Sequence, residues 1–420
     1  MKKTVVICLP NAFKFGWLGS TNRLFSITSA FNKLDYEVIL IAQKYENIVL
    51  QRSIESSYKG KIIRSNSFDN YPLYIGNCKI IRKLTRGIWK LFGSSYALYQ
   101  LSLSWSEKID VNKLIAKHDL KNSNIQLVWG MTGGLLDGLN LADKLAKDLE
   151  VPWVMELHDP PIGADIKCKS ADIVNEFSRL IQSSNLIVPT SDTYRSLLVN
   201  MYKVKAEKCI TMFLTYKEDA SFTESNVRIN TSWNIGYAGS LNGSRNLSAF
   251  IMGLAAAISI RPKIKDCVRV KLAGIGEGFD DALLLSKKYQ LENCFDYQGL
   301  LTGSQANNLM AECDTLLIVQ PSDNDLEIPG KVFQMMSFKK SIIGLMDPNS
   351  ETASIINKSG LGHVSSISDV QEIKKVILQL YGKYLEGSFN LPNADFIESF
   401  AESKLSNELS KLLSDLIITS

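Results

Sequence analysis

Short segments that are apolar along their whole length recur in the chain and alternate with segments of helical periodicity. Strands of this kind are typical of a parallel sheet that helices cover on both faces, because neither face of the strand meets water. Their alternation with helices predicts an α/β fold built on a doubly wound parallel sheet. In the first half of the chain the predicted strands are residues 4–9, 37–42, 125–129, 153–157 and 186–189.

A second series of predicted strands follows a polar stretch, residues 217–232, which we interpret as a linker. The 420 residues are enough for two such domains, and we expect Rossmann-like domains over residues 1–216 and 217–393. Amphipathic spacing predicts a last helix, residues 394–418, that docks on one of the domains. The predicted strands of the second series are residues 234–238, 269–273, 295–298, 315–319 and 341–345.

The composition excludes several classes of protein. Lys and Arg number 47 against 43 Asp and Glu, so the net charge of +4 is too small to indicate a nucleic-acid partner. The seven Cys are scattered and mostly flanked by apolar residues, which is typical of reduced thiols. No apolar run approaches the ~18 residues of a membrane span, and the first run is too short for a secretory signal. We predict a cytoplasmic protein.

The first predicted strand is followed by the loop FKFGWLGSTNR, which places Gly16 and Gly19 before the next helix. Two interpretations stay open. The missing side chains let a ligand approach the backbone and the helix N-terminus, or they only allow a tight turn. The spacing is not that of the dinucleotide-binding fingerprint, and Ser20 or Thr21 is a candidate helix cap.

Polar residues end the strand in the segment VPWVMELHDPPIG, where Glu156, His158 and Asp159 precede two prolines. Polar groups at the carboxyl end of a parallel strand usually line a ligand cleft. We therefore select His158 as a candidate catalytic residue, the alternative being a structural histidine. No cluster of metal ligands accompanies it, and we predict chemistry without a metal.

Two glycine-rich turns follow predicted strands of the second domain. The segment NIGYAGSLNGSRN carries Gly239, Ser240 and Arg245, and VKLAGIGEG carries Gly274 and Gly276. Glycine turns expose backbone N–H groups, and a guanidinium binds phosphate oxygens in pairs, so the combination suits a diphosphate. Ordinary glycine turns are the alternative.

A third polar segment, LIVQPSDNDLEIPGKVFQMM, offers Gln320, Ser322 and Glu327 after a predicted strand. A helix is predicted to begin near Lys331. Its N-terminus carries roughly half a positive charge, to which the lysine adds a full one, so the segment favours a bound phosphate. A capped helix without a ligand is the alternative.

These motifs resemble those of the retaining GT-B glycosyltransferases, particularly family four, which builds bacterial polysaccharides. The resemblance covers nearly the whole chain and rests on the first glycine loop, His158-Asp159, the YAGSL turn with Arg245, the AGIGEG loop and the helix IPGKVFQMM. It implies two Rossmann-like domains that face each other across a cleft. The first would bind the acceptor and the second a nucleotide-diphosphate sugar, and the C-terminal helix would cross back to the first domain.

The resemblance also implies roles for individual residues. Arg245 and Lys331 match the basic residues that hold the donor diphosphate, and His158 matches the histidine near the transferred sugar. Glu327 lies in the segment that contacts the sugar hydroxyls, and Gln334 stands where the family has a glutamate on the nucleotide ribose. The implied reaction is a retaining transfer of a hexose to a saccharide acceptor, with the nucleotide sugar as co-substrate and no further cofactor.

Two departures from the family pattern keep other functions open. Gln334 replaces the glutamate, and Ser240 replaces the arginine of the usual G-R-L turn. A subunit that binds a nucleotide sugar without catalysis is therefore one alternative. A nucleotide-sugar 2-epimerase of the same fold is another, although it would need a richer set of carboxylates and histidines.

Residues 79–93, KIIRKLTRGIWKLFG, combine basic and apolar side chains. Such a helix either lies on an anionic membrane surface or packs its apolar side on the first domain. A membrane contact would predict a peripheral protein on the inner face of the cytoplasmic membrane and a lipid-linked saccharide acceptor. The product would then be a surface polysaccharide such as lipopolysaccharide O-antigen or capsule.

Overall fold

The computed structural model describes residues 2–13, 18–44, 55–65, 105–133, 135–160, 171–218, 232–322, 325–388 and 391–419. These residues form two compact units. The first comprises Met1–Thr215 and Glu402–Ser420, and the second comprises Tyr216–Ala401.

The first unit is a parallel six-stranded sheet with the strand order β3-β2-β1-β4-β5-β6, which is the Rossmann order. Its strands are β1 Lys3–Cys8, β2 Tyr36–Gln43, β3 Lys61–Ser65, β4 Ile125–Gly133, β5 Trp153–Asp159 and β6 Leu186–Pro189. Its helices are α1 Leu18–Lys33, α2 Val111–His118, α3 Asp137–Leu149, α4 Ala171–Ser183, α5 Asp192–Met201 and, from the end of the chain, α14 Glu402–Thr419.

Strand β1 shows why the predicted strands are continuously apolar. Val6 and Cys8 belong to the hydrophobic core on one face of the sheet, whereas Val5 and Ile7 belong to the core on the other. All four are fully buried. Because both faces are covered, successive positions along the strand are mostly apolar instead of alternating with polar ones. The predicted α/β fold is confirmed.

The second unit repeats the architecture with the order β12-β11-β10-β7-β8-β9, again parallel throughout. Its strands are β7 Trp233–Ser240, β8 Val268–Ile275, β9 Phe295–Tyr297, β10 Thr315–Val319, β11 Ser341–Leu345 and β12 Gly362–Ser365. Its helices are α6 Ser248–Ile260, α7 Lys263–Cys267, α8 Gly278–Lys288, α9 Gly303–Glu312, α10 Lys331–Ser337, α11 Glu351–Lys358, α12 Val370–Glu386 and α13 Ala394–Glu398.

The end of the chain differs from the single helix predicted over residues 394–418. It forms two helices, α13 and α14, because the carbonyl of Phe400 accepts a hydrogen bond from the backbone of Tyr216 and Ala401 pairs with that residue as an isolated bridge. Only α14 belongs to the first unit. There it places five leucines in the same core as Val5 and Ile7: Leu405, Leu409, Leu412, Leu413 and Leu416.

Two strands were not predicted, β3 and β12. Both form an edge of their sheet, and each has few apolar residues, KIIRS in one and GHVS in the other. Edge strands are short and polar in many proteins because an apolar open edge would pair with another chain. The other strands lie where the apolar runs predicted them, and the ranges of β6, β10 and β11 match the prediction at both ends.

Three sequence interpretations fall wholly or mainly outside the described residues. These are the role of Gly16, the basic segment 79–93 and most of the predicted linker, of which 219–231 is not described. Among the described helices, none has both the length and the apolar character needed to cross a bilayer.

The second unit depends on a close approach between β7 and β8 that only glycine permits. A Cβ on Gly274, whose φ is +140°, would lie 1.6 Å from the carbonyl oxygen of Gly239. We expect Gly274→Ala to lower the free energy of unfolding by at least about 2 kcal/mol, measured by urea denaturation. The matched control is Gly382→Ala in α12, where nothing lies within 4 Å. There the change should raise stability by about 0.5–1 kcal/mol, and equal effects of the two changes would contradict the argument.

Candidate active site

In the first unit, the residues selected at the carboxyl end of β5 lie around one buried carboxylate. Glu156 has no exposed surface, His158 is 8% exposed, and Asp159, the last residue of the strand, is half-buried. A carboxylate inside an apolar sheet is stable only if positive charge and hydrogen bonds replace its hydration. The surroundings of Glu156 therefore decide what this end of the strand can do.

Three side chains from different elements approach the Glu156 carboxylate. Arg23 Nε from α1 lies 2.8 Å from Oε1, His158 Nε2 lies 2.7 Å from the same oxygen, and Trp129 Nε1 from β4 donates to Oε2 at 2.5 Å. Burial alone would raise the pKa of Glu156, but the charge of Arg23 and the contact with His158 outweigh it and lower the pKa to about 2. The carboxylate is thus ionised at every physiological pH.

Arg23 is itself buried, with 3% of its surface exposed. Its Nη1 donates to the carbonyl of Phe213 at 3.2 Å, while Nη2 is buried without a hydrogen-bond partner among the described residues. The arginine therefore ties helix α1 to β5 and to the segment after α5. Sequence reasoning missed Arg23 and Trp129. The signal that points to them is the lone carboxylate in the apolar strand WVMELHD. Such a carboxylate requires a buried cation, here Arg23, and further hydrogen-bond donors, here Trp129.

The first glycine loop differs from its prediction at the helix start. Helix α1 begins at Leu18, so Gly19 lies in its first turn and is exposed. Thr21 lies inside the helix and accepts a hydrogen bond from the backbone N–H of Phe13. Thr21 therefore fixes the loop end instead of capping the helix.

In the second unit, two predicted basic residues meet at the carboxyl end of β7. Lys331 Nζ, from the first turn of α10, donates to the carbonyl of Ala238 at 2.6 Å. Arg245 Nη1 donates to Ser240 Oγ at 3.4 Å, and its Nε is buried without a partner among the described residues. A Cβ on Gly239 would lie 3.0 Å from the Tyr237 hydroxyl and 3.4 Å from Lys331 Nζ, so Gly239 is closely packed.

The two cations raise the local positive potential. Lys331 is exposed as a residue, and desolvation of its ammonium group together with the charge of Arg245 lowers the pKa of Lys331 to about 8. Neither residue forms an ion pair within the described part of the chain. Two positive charges without a carboxylate partner, at the end of a parallel strand, form a site that favours an anion.

Close packing explains why the AGIGEG loop has glycine at positions 274 and 276. Cβ atoms on Gly274 and Gly276 would collide with the backbone carbonyls of Gly239 and Leu241, and both glycines have positive φ angles. Close packing of the two strand ends therefore requires glycine here. A role of these positions in binding phosphate stays a prediction.

The segment after β10 is held by its own side chains. Gln320 is fully buried and its Nε2 donates to the carbonyl of Glu327 at 2.8 Å, whereas Ser322 is exposed. Gln334 donates to Ser337 Oγ at 3.1 Å within α10. Gln320 thus fixes the loop that carries Glu327. The contact of Gln334 with a ribose stays a prediction.

Among the described residues, no group of three or more His, Cys, Asp or Glu side chains is arranged to hold a metal ion. At the end of β7, Lys331 and Arg245 can balance the negative charge of a bound anion. Chemistry without a metal stays a prediction.

No family model matches the sequence, and no curated protein does. Solved structures do match over the whole chain. A glycosyltransferase from Rickettsia africae has a TM-score of 0.64 at 12% identity, with 100% of both chains covered. The Anabaena protein HepE in complex with UDP has a TM-score of 0.62 at 14% identity, covering 99% of this chain and 100% of its own. The lipopolysaccharide outer core galactosyltransferase WaaB has a TM-score of 0.59 at 12% identity, covering 98% of each.

At these identities the likeness shows the fold, which is that of the two-domain GT-B glycosyltransferases. The expected pair of Rossmann-like domains is thereby confirmed.

The buried ion pair should dominate the stability of the first unit. We expect Glu156→Gln to lower the free energy of unfolding by about 3–5 kcal/mol in urea denaturation, because it leaves Arg23 buried without a counter-charge. The matched control is Glu372→Gln, which removes an exposed pair with Lys375 and should cost no more than about 1 kcal/mol. A loss of similar size in both variants would contradict the role of the pair.

The Glu156 carboxylate should also determine how the free energy of unfolding changes at acid pH. Its pKa in the folded protein, about 2, lies below its ordinary value of 4.5, so its stabilisation is complete above pH 4.5. We expect that part of the free energy of unfolding to disappear as the pH falls from 4.5 to 2. In Glu156→Gln this contribution should be missing, as measured by urea denaturation at a series of pH values. An unchanged acid slope in the variant would show that other carboxylates carry it.

Proposed function

We propose that the protein is a glycosyltransferase that takes its sugar from a nucleotide diphosphate, which it binds at the carboxyl end of β7. The observation that carries the proposal is the pair of cations, Lys331 and Arg245, without an ion-pair partner among the described residues. A diphosphate supplies the missing negative charge and accepts hydrogen bonds from both side chains.

The charge of the pair suits the bond that must break. When the sugar–phosphate bond breaks, the leaving nucleoside diphosphate gains negative charge on its terminal phosphate. Fixed cations near that oxygen stabilise the transition state more than the ground state, which is the condition for catalysis. In this proposal Lys331 and Arg245 carry out that task without a metal ion.

The solved structures support a UDP-sugar as the donor, since the protein HepE has been seen with UDP and with UDP-glucose. The second unit would then bind the donor and the first the acceptor. Gln334 would hydrogen-bond the nucleotide ribose through its amide, and Glu327 would contact the sugar hydroxyls. WaaB, an enzyme of the lipopolysaccharide outer core, supports a saccharide acceptor on a surface polysaccharide.

The reaction we propose retains the configuration of the sugar. The sugar centre becomes oxocarbenium-like as the phosphate departs, and the acceptor hydroxyl attacks from the same face. In the first unit, His158 would orient the donor sugar. We include a lipid-linked acceptor in the proposal because residues 79–93 combine basic and apolar side chains, which suits a membrane surface.

Binding of nucleoside diphosphates tests the donor site. In calorimetry with EDTA present, UDP should bind more tightly than GDP, CDP, ADP or dTDP. Arg245→Ala and Lys331→Ala should each weaken UDP about 10- to 100-fold, the usual loss for a hydrogen bond to a charged group. Lys358→Ala, at an exposed site on α11, is the control and should leave the affinity unchanged. If no nucleoside diphosphate binds, the donor site is wrong.

The affinity for UDP should also depend on pH. Below the pKa of Lys331, about 8, the free protein holds its ammonium charge, and above it the charge is lost. The dissociation constant of UDP should therefore rise between pH 7.5 and 9.5. In Lys331→Met that rise should be absent. A rise of the same size in the variant would assign the pH dependence to another group.

Product analysis separates the alternatives. Transfer of sugar from the donor to a saccharide supports the transferase. Conversion of the free nucleotide sugar into its 2-epimer would show an epimerase, and tight binding without any product would show a non-catalytic subunit.

A further inference from the structure

The hydrogen bonds around His158 all converge on one carboxylate. Glu156 accepts from Arg23 and His158 at Oε1 and from Trp129 at Oε2, with donor distances of 2.5 to 2.8 Å. Each of the four side chains is buried, and the most accessible, that of His158, is 9% exposed. Rotation of the ring would break one of these contacts, so the ring is held in place.

The chemistry of the partners fixes one proton. Arg and Trp side chains have no acceptor atoms, so Arg23 and Trp129 must donate. An ionised carboxylate only accepts, so His158 Nε2 must carry a hydrogen. In a neutral imidazole the other nitrogen, Nδ1, is then an acceptor.

Arg23 and Glu156 form a buried pair of opposite charges, with 2.8 Å between Arg23 Nε and Glu156 Oε1. This pair keeps the carboxylate in the form that accepts hydrogen bonds.

The Nδ1 atom is left for a ligand. In the described part of the chain the only hydrogen bond of the ring is that from Nε2 to Glu156. The contact with Thr190 involves the backbone carbonyl of His158 and not its ring. His158 also lies next to the carboxyl end of β5, the edge of the sheet where ligands of this fold class bind.

We propose that Glu156, held by Arg23 and Trp129, is a positioning residue that fixes His158 in its Nε2–H tautomer, so that Nδ1 accepts a hydrogen bond from a hydroxyl of the sugar substrate. The identity of the ligand rests on the proposed function, whereas the tautomer does not. Arg23 and Trp129 hold the Glu156 carboxylate in place and are not proposed to touch the substrate.

The tautomer can be measured directly by NMR of the wild-type protein labelled with ¹⁵N-histidine. The chain has three histidines, and His118→Gln and His363→Gln assign the signals of the other two. We expect a hydrogen on Nε2 and none on Nδ1 for His158 at pH 7 to 8. A hydrogen on Nδ1, alone or together with one on Nε2, would overturn the proposal.

The variant Glu156→Leu tests the positioning role with a side chain of similar size. Leucine has no acceptor oxygen, so His158 Nε2 no longer needs to carry the hydrogen. We expect the single tautomer to be lost and turnover to fall roughly tenfold or more, since Nδ1 is no longer held as the acceptor. UDP affinity should stay within about twofold, because the groups proposed to hold the diphosphate belong to the second unit. An unchanged tautomer or unchanged turnover would overturn the proposal.

Two substitutions of His158 keep the proposal testable if Glu156→Leu does not fold. An asparagine amide occupies about the position of Nδ1, whereas a glutamine amide reaches that of Nε2. We expect His158→Asn to retain roughly tenfold more turnover than His158→Gln. Equal or greater turnover in His158→Gln would overturn the acceptor role of Nδ1.

The proposed function and the proposed tautomer of His158 can be tested separately. A wild-type protein that binds no nucleoside diphosphate and transfers no sugar would overturn the proposed function, and with it the sugar contact. The NMR measurement would still decide the tautomer, because it depends on the Glu156 network alone.

Discussion

Both units depend on parallel strands whose two faces are covered by helices. In such a sheet all strands end at the same edge, so polar groups placed after separate strands come together there. The order of each sheet also reverses beside its first strand, at β1 and β4 in one unit and at β7 and β10 in the other. At that reversal the connections leave toward opposite faces, and a ligand can enter between them.

The two sites use charge in different ways at those edges. In the first unit the positive charge is balanced, because Arg23 pairs with Glu156 and the network serves to hold His158. In the second unit Lys331 and Arg245 form no ion pair among the described residues, and desolvation together with the charge of Arg245 lowers the pKa of the lysine. The balanced pair fixes the position of a neighbouring side chain, whereas the unbalanced pair of cations favours a bound anion.

Local patterns were enough for much of this structure. The apolar runs predicted strands such as β10 and β11 at their observed residues, because a strand buried on both faces is apolar at most of its positions. The same reasoning missed β3 and β12, since edge strands need fewer apolar residues. It also predicted one helix at the chain end where two form, because the hydrogen bond between Tyr216 and Phe400 joins residues far apart in sequence.

For the candidate sites, the sequence by itself determined which residues carry charge and which strand ends bear polar groups. It indicated His158, Arg245 and Lys331, since each follows a strand or opens a helix. Only the tertiary structure decided their partners. Arg23 reaches Glu156 across 133 positions of the chain, and Lys331 reaches Ala238 across 93. Such pairs depend on how helices cross between parallel strands, and that crossing brings together residues that no local pattern relates.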